Sequence, residues 1–172
     1  MTDSASDTAV AVLLDCSGSM TGILPEMKAG LLAAYQSADE AGEEMAVWSF
    51  SDSFKLVVPF GARLSARNAG LDSLRVSFGT TLLAPLRAVR TALLARPATR
   101  RLLVVIYDGM SRDSLAAAKE IAEMRSQSGI EVLGVLVGKP DAYERELARQ
   151  VFPDLTEAAD ASALAGIFAD LF

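Results

Sequence analysis

The sequence predicts an α/β domain: an open, mostly parallel, doubly wound six-stranded sheet with one antiparallel edge strand and helices on both faces. Short apolar runs alternate with stretches of helical periodicity along the chain, as in parallel α/β sheets. Two of the runs are apolar at every position, which is typical of strands covered on both faces. One pair of strands is separated by only three residues, too few for a parallel crossover.

The first strand and the helix after it carry the clearest signals. Residues 9–14 are apolar throughout and predict a central strand that ends at Asp15. The next helix has Pro25 in its first turn, apolar residues at helical spacing up to Ala41, and Gly42 as its end. The loop between the two elements is therefore expected at the carboxyl end of a central strand.

A hairpin is predicted next. Met45 to Phe50 and Phe54 to Phe60 both have strand composition, and residues 51–53 between them leave room only for a tight connection. Lys55 and Pro59 suit an edge strand and do not suit the centre of a sheet. The second strand of the hairpin is therefore the predicted antiparallel edge.

The remainder of the chain continues the alternation of helices and strands. The predicted elements are helices over 65–74 and 82–94, a strand over 102–107, a helix over 113–127, a strand over 130–137, a helix starting near 141, an extended piece over 151–155 and a helix over 160–172. Gly129 ends the third of these helices, and residues 141–144 have the spacing of a capping box. No repeat or linker divides the chain, so we expect one domain over residues 1–172 with a flexible N-terminus over 1–7.

Composition restricts the classes of function. The chain has 172 residues, of which 51% are hydrophobic and 22% charged, as in globular proteins. Its net charge of −6 opposes binding to phosphate backbones, so nucleic acid is not an expected partner. Short apolar runs and the lack of a signal-peptide pattern predict no membrane partner and a cytoplasmic location. The single cysteine, Cys16, cannot form an internal disulfide and is expected to be buried.

Oxygen-bearing side chains follow the two most apolar strands. Asp15 and Asp108 come directly after these strands, and ligands of open parallel sheets bind beyond the carboxyl ends of strands where the order reverses. If the strands are neighbours, both carboxylates face one crevice. Ser17 and Ser19 lie on the loop after the first strand, and Thr80 follows a glycine in a separate loop. Two carboxylates and three hydroxyls are hard ligands that suit Mg²⁺ or Mn²⁺ and do not suit zinc.

These five residues resemble the metal-ion-dependent adhesion site of the von Willebrand factor A family. Residues 15–19 match its D-x-S-x-S motif, Thr80 follows a glycine, and Asp108 precedes a glycine after the fourth strand. The resemblance implies a Rossmann-like sheet and a non-enzymatic module that binds an Asp or Glu of a protein partner through a divalent cation. Residues 15–20 look like the bacterial and intracellular branch with the chelatase subunits, which implies an AAA+ ATPase as a further partner.

Several nearby positions have two interpretations. Thr81 competes with its neighbour for the ligand role, and the family pattern favours the threonine directly after the glycine. Asp52 and Asp113 are expected as a turn former and a helix cap, with outer carboxylates of the site as the alternative. Phe78 and Tyr107 depart from the family pattern and are expected to reshape the rim of the site.

Five arginines form a loose basic stretch around the helix that is predicted to end near Leu94. They are Arg87, Arg90, Arg96, Arg100 and Arg101. The simpler interpretation is a solvated helix face with favourable charge at its C-terminus, and the alternative is a docking patch for an acidic partner.

A competing function is metal-dependent phosphotransfer of the dehalogenase-like type, with Asp15 as the nucleophile. Such enzymes have a similar sheet and place an aspartate after the first strand. They require a second aspartate two residues further on, where this chain has Ser17. The chain has no histidine, and no other group suited to proton transfer or nucleophilic attack is evident, so we expect no enzymatic activity.

Overall fold

The computed structural model describes residues 6–172, which form a sheet of six strands with helices on both faces. The strands are β1 (Thr8–Asp15), β2 (Glu44–Phe50), β3 (Phe54–Val58), β4 (Arg100–Tyr107), β5 (Glu131–Val137) and β6 (Leu155–Ala158). The helices are α1 (Leu24–Ala41), α2 (Leu64–Asp72), α3 (Leu83–Leu94), α4 (Ser114–Gln127), α5 (Ala142–Val151) and α6 (Ala161–Leu171), and a short 3₁₀ helix covers Gly18–Met20. The predicted fold class is confirmed.

The strand order β3-β2-β1-β4-β5-β6 creates a crevice between β1 and β4. All neighbouring pairs are parallel except β2 and β3, which form the predicted antiparallel edge. The chain passes from β1 to β2 through α1 and reaches β4 through α3, on the opposite face, so the order reverses between β1 and β4. Leu14 lies opposite Ile106, which places the carboxyl ends of both strands at the same edge.

Two apolar layers enclose the sheet. All eight residues of β1 are buried, with Val10, Val12 and Leu14 in the layer that contains α1, α2 and α6. Ala9, Ala11 and Leu13 alternate with them and join the layer that contains α3, α4 and α5. Because successive side chains of a strand point to opposite faces, a strand covered on both faces is apolar at every position.

Helix ends follow the predicted signals. Gly42 ends α1 in the left-handed region with φ 72°, where a side chain would be strained. The capping box of α5 is present: the Asp141 carboxylate accepts from the Glu144 N–H at 2.8 Å, and the Glu144 carboxylate accepts from the Asp141 N–H at 2.9 Å.

The extended piece predicted over 151–155 begins too early, because β6 covers Leu155–Ala158. Val151 instead closes α5, and the neighbouring Phe152 is buried in the core with its ring 5.3 Å from that of Tyr107. Gly134 makes room for it, since a Cβ there would lie 2.5 Å from the Phe152 ring. The apolar pair therefore anchors the end of a helix, and β6 begins only after the chain has turned back to pair with β5.

The N-terminal boundary is described only in part. Of the flexible terminus expected over residues 1–7, residues 1–5 lie outside the described part of the chain. The Ser6 hydroxyl donates to the Glu43 carboxylate at 2.7 Å, and the Asp7 carbonyl accepts from the Arg100 N–H at 2.9 Å. Residues 6 and 7 are thus tied to the amino end of the sheet. Within residues 6–172, no helix combines the length and the apolarity needed to cross a bilayer.

Candidate metal centre

Asp15 forms the floor of the site at the end of β1. Its side chain has no exposed surface, and its Oδ1 accepts a hydrogen bond from the Ser17 N–H at 2.8 Å. Its Oδ2 is buried without any hydrogen-bond partner. A buried carboxylate oxygen with no partner costs roughly 1–3 kcal/mol or more, so native proteins keep one only for a reason. Among residues 6–172 two tyrosine hydroxyls also lack partners, but this oxygen is the one carried by a carboxylate, and it lies close to a second carboxylate, that of Asp108.

The electrostatics of the site favour a positive ligand. Burial raises the pKa of Asp15 to about 6, and the nearby charge of Asp108 adds to the effect. The hydrogen bonds from Ser17 oppose this rise without cancelling it. A cation placed beside both carboxylates would relieve the repulsion and the desolvation together.

Serine hydroxyls connect the two aspartates. The Oγ atoms of Ser17 and Ser19 are 3.0 Å apart, and the Ser19 hydroxyl donates to Oδ2 of Asp108. Asp15 and Ser17 are buried, Asp108 is half-buried and Ser19 is exposed. The site is therefore a pit whose oxygen-lined wall opens to solvent at the carboxyl edge of the sheet.

The loop before α3 places Thr80 beside this pit. The Thr80 carbonyl accepts from the Arg112 N–H at 2.9 Å, which ties the loop to the segment after Asp108. On the other side, Ser77 forms an isolated bridge with Ser17. The hydroxyl of Thr80 makes no hydrogen bond to any residue in the described range 6–172, and it is available as a ligand.

Thr81 is engaged elsewhere. Its hydroxyl donates to the carbonyls of Ser51 and Asp52 at 3.1 and 3.3 Å, and its N–H donates to the Ser51 carbonyl at 2.9 Å. These bonds commit the side chain to the β2–β3 loop. The geometry therefore supports the choice of Thr80 over Thr81.

Asp52 braces the Thr80 loop from outside the pit. Its N–H donates to the Phe78 carbonyl at 3.1 Å, and its carboxylate lies 3.3 Å from the guanidinium of Arg112. It packs so closely on Gly79, which has φ 78°, that a Cβ there would overlap the carboxylate. Asp52 therefore acts as a turn residue and a brace.

Residues 10–111 match the model of the von Willebrand factor type A domain. The chain belongs to this family. A search of curated proteins finds no match to the chain.

Solved structures share the fold of this von Willebrand factor type A domain at low sequence identity. A von Willebrand factor type A protein from Catenulispora acidiphila is 21% identical, with a TM-score of 0.71 over 96% of this chain and 42% of that one. The pilus adhesin SpaC from Lactobacillus rhamnosus GG is 16% identical, with a TM-score of 0.79 over 98% of this chain and 30% of that one. Proximal thread matrix protein 1 from the mussel byssus, whose MIDAS motif is occupied by zinc, is 16% identical, with a TM-score of 0.74 over 97% of this chain and 45% of that one. The domain thus spans less than half the length of these proteins.

Asp113 caps a helix, but this helix is α3 and not α4, which directly follows Asp113 in sequence. Its Oδ1 and Oδ2 accept from the N–H groups of Leu82 and Leu83, each at 2.9 Å. Both oxygens are therefore used at the N-terminus of α3, whose first N–H groups have no partner within the helix. The alternative role as an outer carboxylate of the site is not supported.

Tyr107 is not at the rim of the domain's site, contrary to expectation. It is the last residue of β4, and its side chain is 1% exposed in the layer beneath α3, α4 and α5. The alternation of the strand turns it away from Asp108, which follows it. Phe78, in contrast, is 87% exposed in the Thr80 loop. Cys16 is buried in the α1 layer, as expected, and burial raises the pKa of its thiol to about 12.

Each arginine of the basic stretch contacts a carboxylate or a backbone carbonyl within the domain. Glu120 accepts contacts from Arg87 and Arg90 at 3.6 and 3.1 Å. The remaining three bind separate partners: Arg96 with Glu44, Arg100 with Glu131, and Arg101 with the carbonyls of Leu93 and Arg96. The structure favours the solvated-face interpretation over a docking patch.

Two residues that position the domain's site escaped sequence reasoning. The Ser77 N–H donates to the Cys16 carbonyl at 2.7 Å, and the Arg112 N–H donates to the Thr80 carbonyl. Both bonds join loops from different strand ends through backbone groups, which every residue type carries. The sequence therefore contains no signal that could have singled them out.

Proposed function

We propose that the domain binds Mg²⁺ or Mn²⁺ through five side chains and uses the cation to hold an Asp or Glu of a protein partner. The proposed ligands are Asp15, Ser17, Ser19, Thr80 and Asp108. The Oδ2 of Asp15 carries this proposal, because it is a buried carboxylate oxygen to which no residue in the range 6–172 donates a hydrogen bond.

The donor set fits a hard divalent cation. It contains two carboxylates and three hydroxyls, and residues 6–172 contain no cluster of three or more His, Cys, Asp or Glu that could hold a metal. Hard oxygen ligands of this kind suit Mg²⁺ or Mn²⁺. When bound, the cation supplies a Lewis-acidic position for one further anionic oxygen.

The chain's own residues prepare this site. The Ser17 N–H donates to one oxygen of Asp15, and the other oxygen has no hydrogen-bond partner within residues 6–172. The chain of hydroxyls from Ser17 through Ser19 to Asp108 holds the far carboxylate at the mouth. Because the loops are joined by backbone hydrogen bonds, little conformational entropy is lost when a ligand binds.

The phosphotransfer alternative is disfavoured by the same geometry. A nucleophilic aspartate must contact its substrate directly, whereas the Asp15 side chain has no exposed surface. Ser17, which stands where such enzymes need a second aspartate, keeps its hydroxyl within the serine pair.

A protein partner is supported by the family and by its structural neighbours. SpaC is a pilus adhesin, and the mussel protein carries a metal in its MIDAS motif. The narrower proposal of a cytoplasmic AAA+ ATPase as the partner depends on the resemblance of residues 15–20 to chelatase subunits. Co-purification of such an ATPase with Mg²⁺, and its loss with EDTA, would test it.

The metal proposal is tested by a matched pair of variants, Thr80→Val and Thr81→Val. Titration calorimetry with Mg²⁺, Mn²⁺ and Zn²⁺ on the whole chain measures binding directly. We expect Thr80→Val to weaken Mg²⁺ binding about ten-fold or more, as is common for lost metal-site groups, and Thr81→Val to leave it nearly unchanged. Equal loss in both variants would contradict the assignment of Thr80. Tight zinc binding with no Mg²⁺ binding would contradict the choice of metal.

A further inference from the structure

Large apolar side chains stand exposed on the carboxyl edge of the sheet, next to the metal centre. Phe78 is 87% exposed and lies two residues before Thr80. Met110 is 46% exposed and lies two residues after Asp108. Single exposed apolar residues are ordinary, but here one flanks each side of the same site.

Both side chains are carried by backbone that is fixed to the site. The Phe78 carbonyl accepts from the Asp52 N–H at 3.1 Å, and the Met110 N–H donates to Oδ1 of Asp108 at 3.4 Å. The backbone is thus held while the side chains remain uncovered. This arrangement gives a preorganised surface at low entropic cost to a partner.

Two further large apolar side chains are exposed at the same end of the sheet. Leu115, 89% exposed, lies in the first turn of α4, and Tyr143, 67% exposed, lies in the first turn of α5. These helices follow β4 and β5, so their first turns lie at the carboxyl edge. Gly109 abuts the Glu144 backbone, since a Cβ there would lie 3.1 Å from the Glu144 carbonyl. We call Phe78, Met110, Leu115 and Tyr143 the apolar rim.

We propose that the apolar rim is the second half of the partner site, which rests on the metal-dependent function proposed above. The partner is a protein segment with one Asp or Glu for the metal, flanked within about three residues by a large apolar side chain. That side chain packs on Phe78 and Met110. Large aromatic and methionine side chains are enriched in the cores of protein interfaces, where they contribute most of the affinity.

Charge selects this partner over two others. The charge of a divalent cation neutralises the two negative charges of Asp15 and Asp108, and Asp52 and Arg112 form an exposed ion pair with no net charge. The site can therefore take one further carboxylate on the cation without strong repulsion. A polyacidic segment would bring further negative charge to a chain of net charge −6. A second copy of the chain would bring the same charge of −6, so self-association is opposed too.

A displayed peptide library tests the proposal on the whole chain. Random twelve-residue peptides with a fixed central Asp are captured in Mg²⁺ and eluted with EDTA. We expect the eluted peptides to be enriched in Phe, Leu, Ile, Met or Trp within three positions of the Asp. Phe78→Ser and Met110→Ser should each weaken their binding about five-fold or more.

Leu64→Ser is the matched control. Leu64 is 67% exposed at the start of α2, at the opposite edge of the sheet because β3 runs antiparallel to β1. This variant should bind the peptides like the wild type. All three variants should keep the Mg²⁺-dependent rise in melting temperature, which shows that the metal centre is intact.

The outcomes separate the rim from the metal function. Metal-dependent peptides without apolar enrichment, or full binding by Phe78→Ser and Met110→Ser, would overturn the rim and leave the metal function standing. If Mg²⁺ raises the melting temperature but no peptide is captured in Mg²⁺, metal binding stands, and the capture of a partner carboxylate falls together with the apolar rim. Sedimentation that shows Mg²⁺-dependent dimers lost in Phe78→Ser would identify a second copy as the occupant and overturn the peptide partner.

Discussion

Replacing Asp15 by Asn is expected to stabilise the metal-free domain at neutral pH and to abolish its stabilisation by Mg²⁺. The folded state raises the pKa of Asp15 from 3.8 to about 6, which corresponds to roughly 3 kcal/mol against the charged form. Asparagine keeps the oxygen that accepts from the Ser17 N–H and removes the charge. Its buried amide also lacks a partner, so we expect a net gain of about 2 kcal/mol.

The pH dependence has a definite sign. Because the folded pKa of Asp15 is raised, folding favours the protonated form, and the wild type gains stability as pH falls through about 6 toward 4. Relative to pH 7.5, this group contributes about 1.4 kcal/mol at pH 5. Asparagine does not titrate, so the advantage of Asp15→Asn should shrink by that amount at pH 5.

Thermal and urea unfolding in EDTA measure both effects. A gain of about 2 kcal/mol corresponds to a rise in Tm of about 4–8 °C for a domain of this size. With about 10 mM Mg²⁺ and a millimolar Kd, the wild type should gain about 1.4 kcal/mol and the variant nothing. Asp52→Asn, at a half-exposed carboxylate, is the control and should change stability by less than about 0.5 kcal/mol. A metal-free Asp15→Asn variant no more stable than the wild type at pH 7.5 would refute the reasoning.

Four further substitutions distinguish residues that stabilise the fold from residues that act at the site. Asp113→Ala should lower the free energy of unfolding by about 1–2 kcal/mol, because it removes the acceptors for two N–H groups at the start of α3. Urea unfolding measures the loss, and an unchanged midpoint would show that Asp113 does not cap α3. Gly79→Ala should lower both Tm and Mg²⁺ affinity, because the new Cβ would overlap the Asp52 carboxylate. Wild-type Mg²⁺ affinity in calorimetry would show that the packing of Asp52 on Gly79 does not position the Thr80 loop. Phe152→Ala should lower the free energy of unfolding by about 3–5 kcal/mol, because it removes a buried ring that packs on Gly134. Phe78→Ala removes an exposed ring and should change the free energy of unfolding by less than about 0.5 kcal/mol. Equal losses in the two variants would contradict the burial of Phe152 and the exposure of Phe78.

The expected effect of Asp15→Asn illustrates a conflict between stability and function. An anionic group buried without a full set of partners destabilises the empty fold, and the same group provides affinity once a cation is present. The site lies at the point where the strand order reverses, where the loops after neighbouring strands diverge to opposite faces of the sheet.

Local patterns in the sequence were sufficient to predict the elements and the candidate ligands. Residues 9–14 are apolar throughout because the central strand is covered on both faces, and Lys55 and Pro59 mark the edge where β3 was found. The same reasoning failed at residues 151–155. An apolar pair at the end of a helix and a short buried strand have the same composition, and only the packing of Phe152 on Gly134 distinguishes them.

The sequence by itself determined the fold class and which oxygen-bearing side chains follow β1 and β4, because strand and helix periods are local properties of the chain. Only the tertiary structure decided that Thr81 is consumed by the β2–β3 loop, that Asp113 caps α3, and that Tyr107 is buried. These outcomes depend on hydrogen bonds and packing between loops that leave separate strands. Such contacts join residues far apart in sequence, and no local period encodes which of them meet.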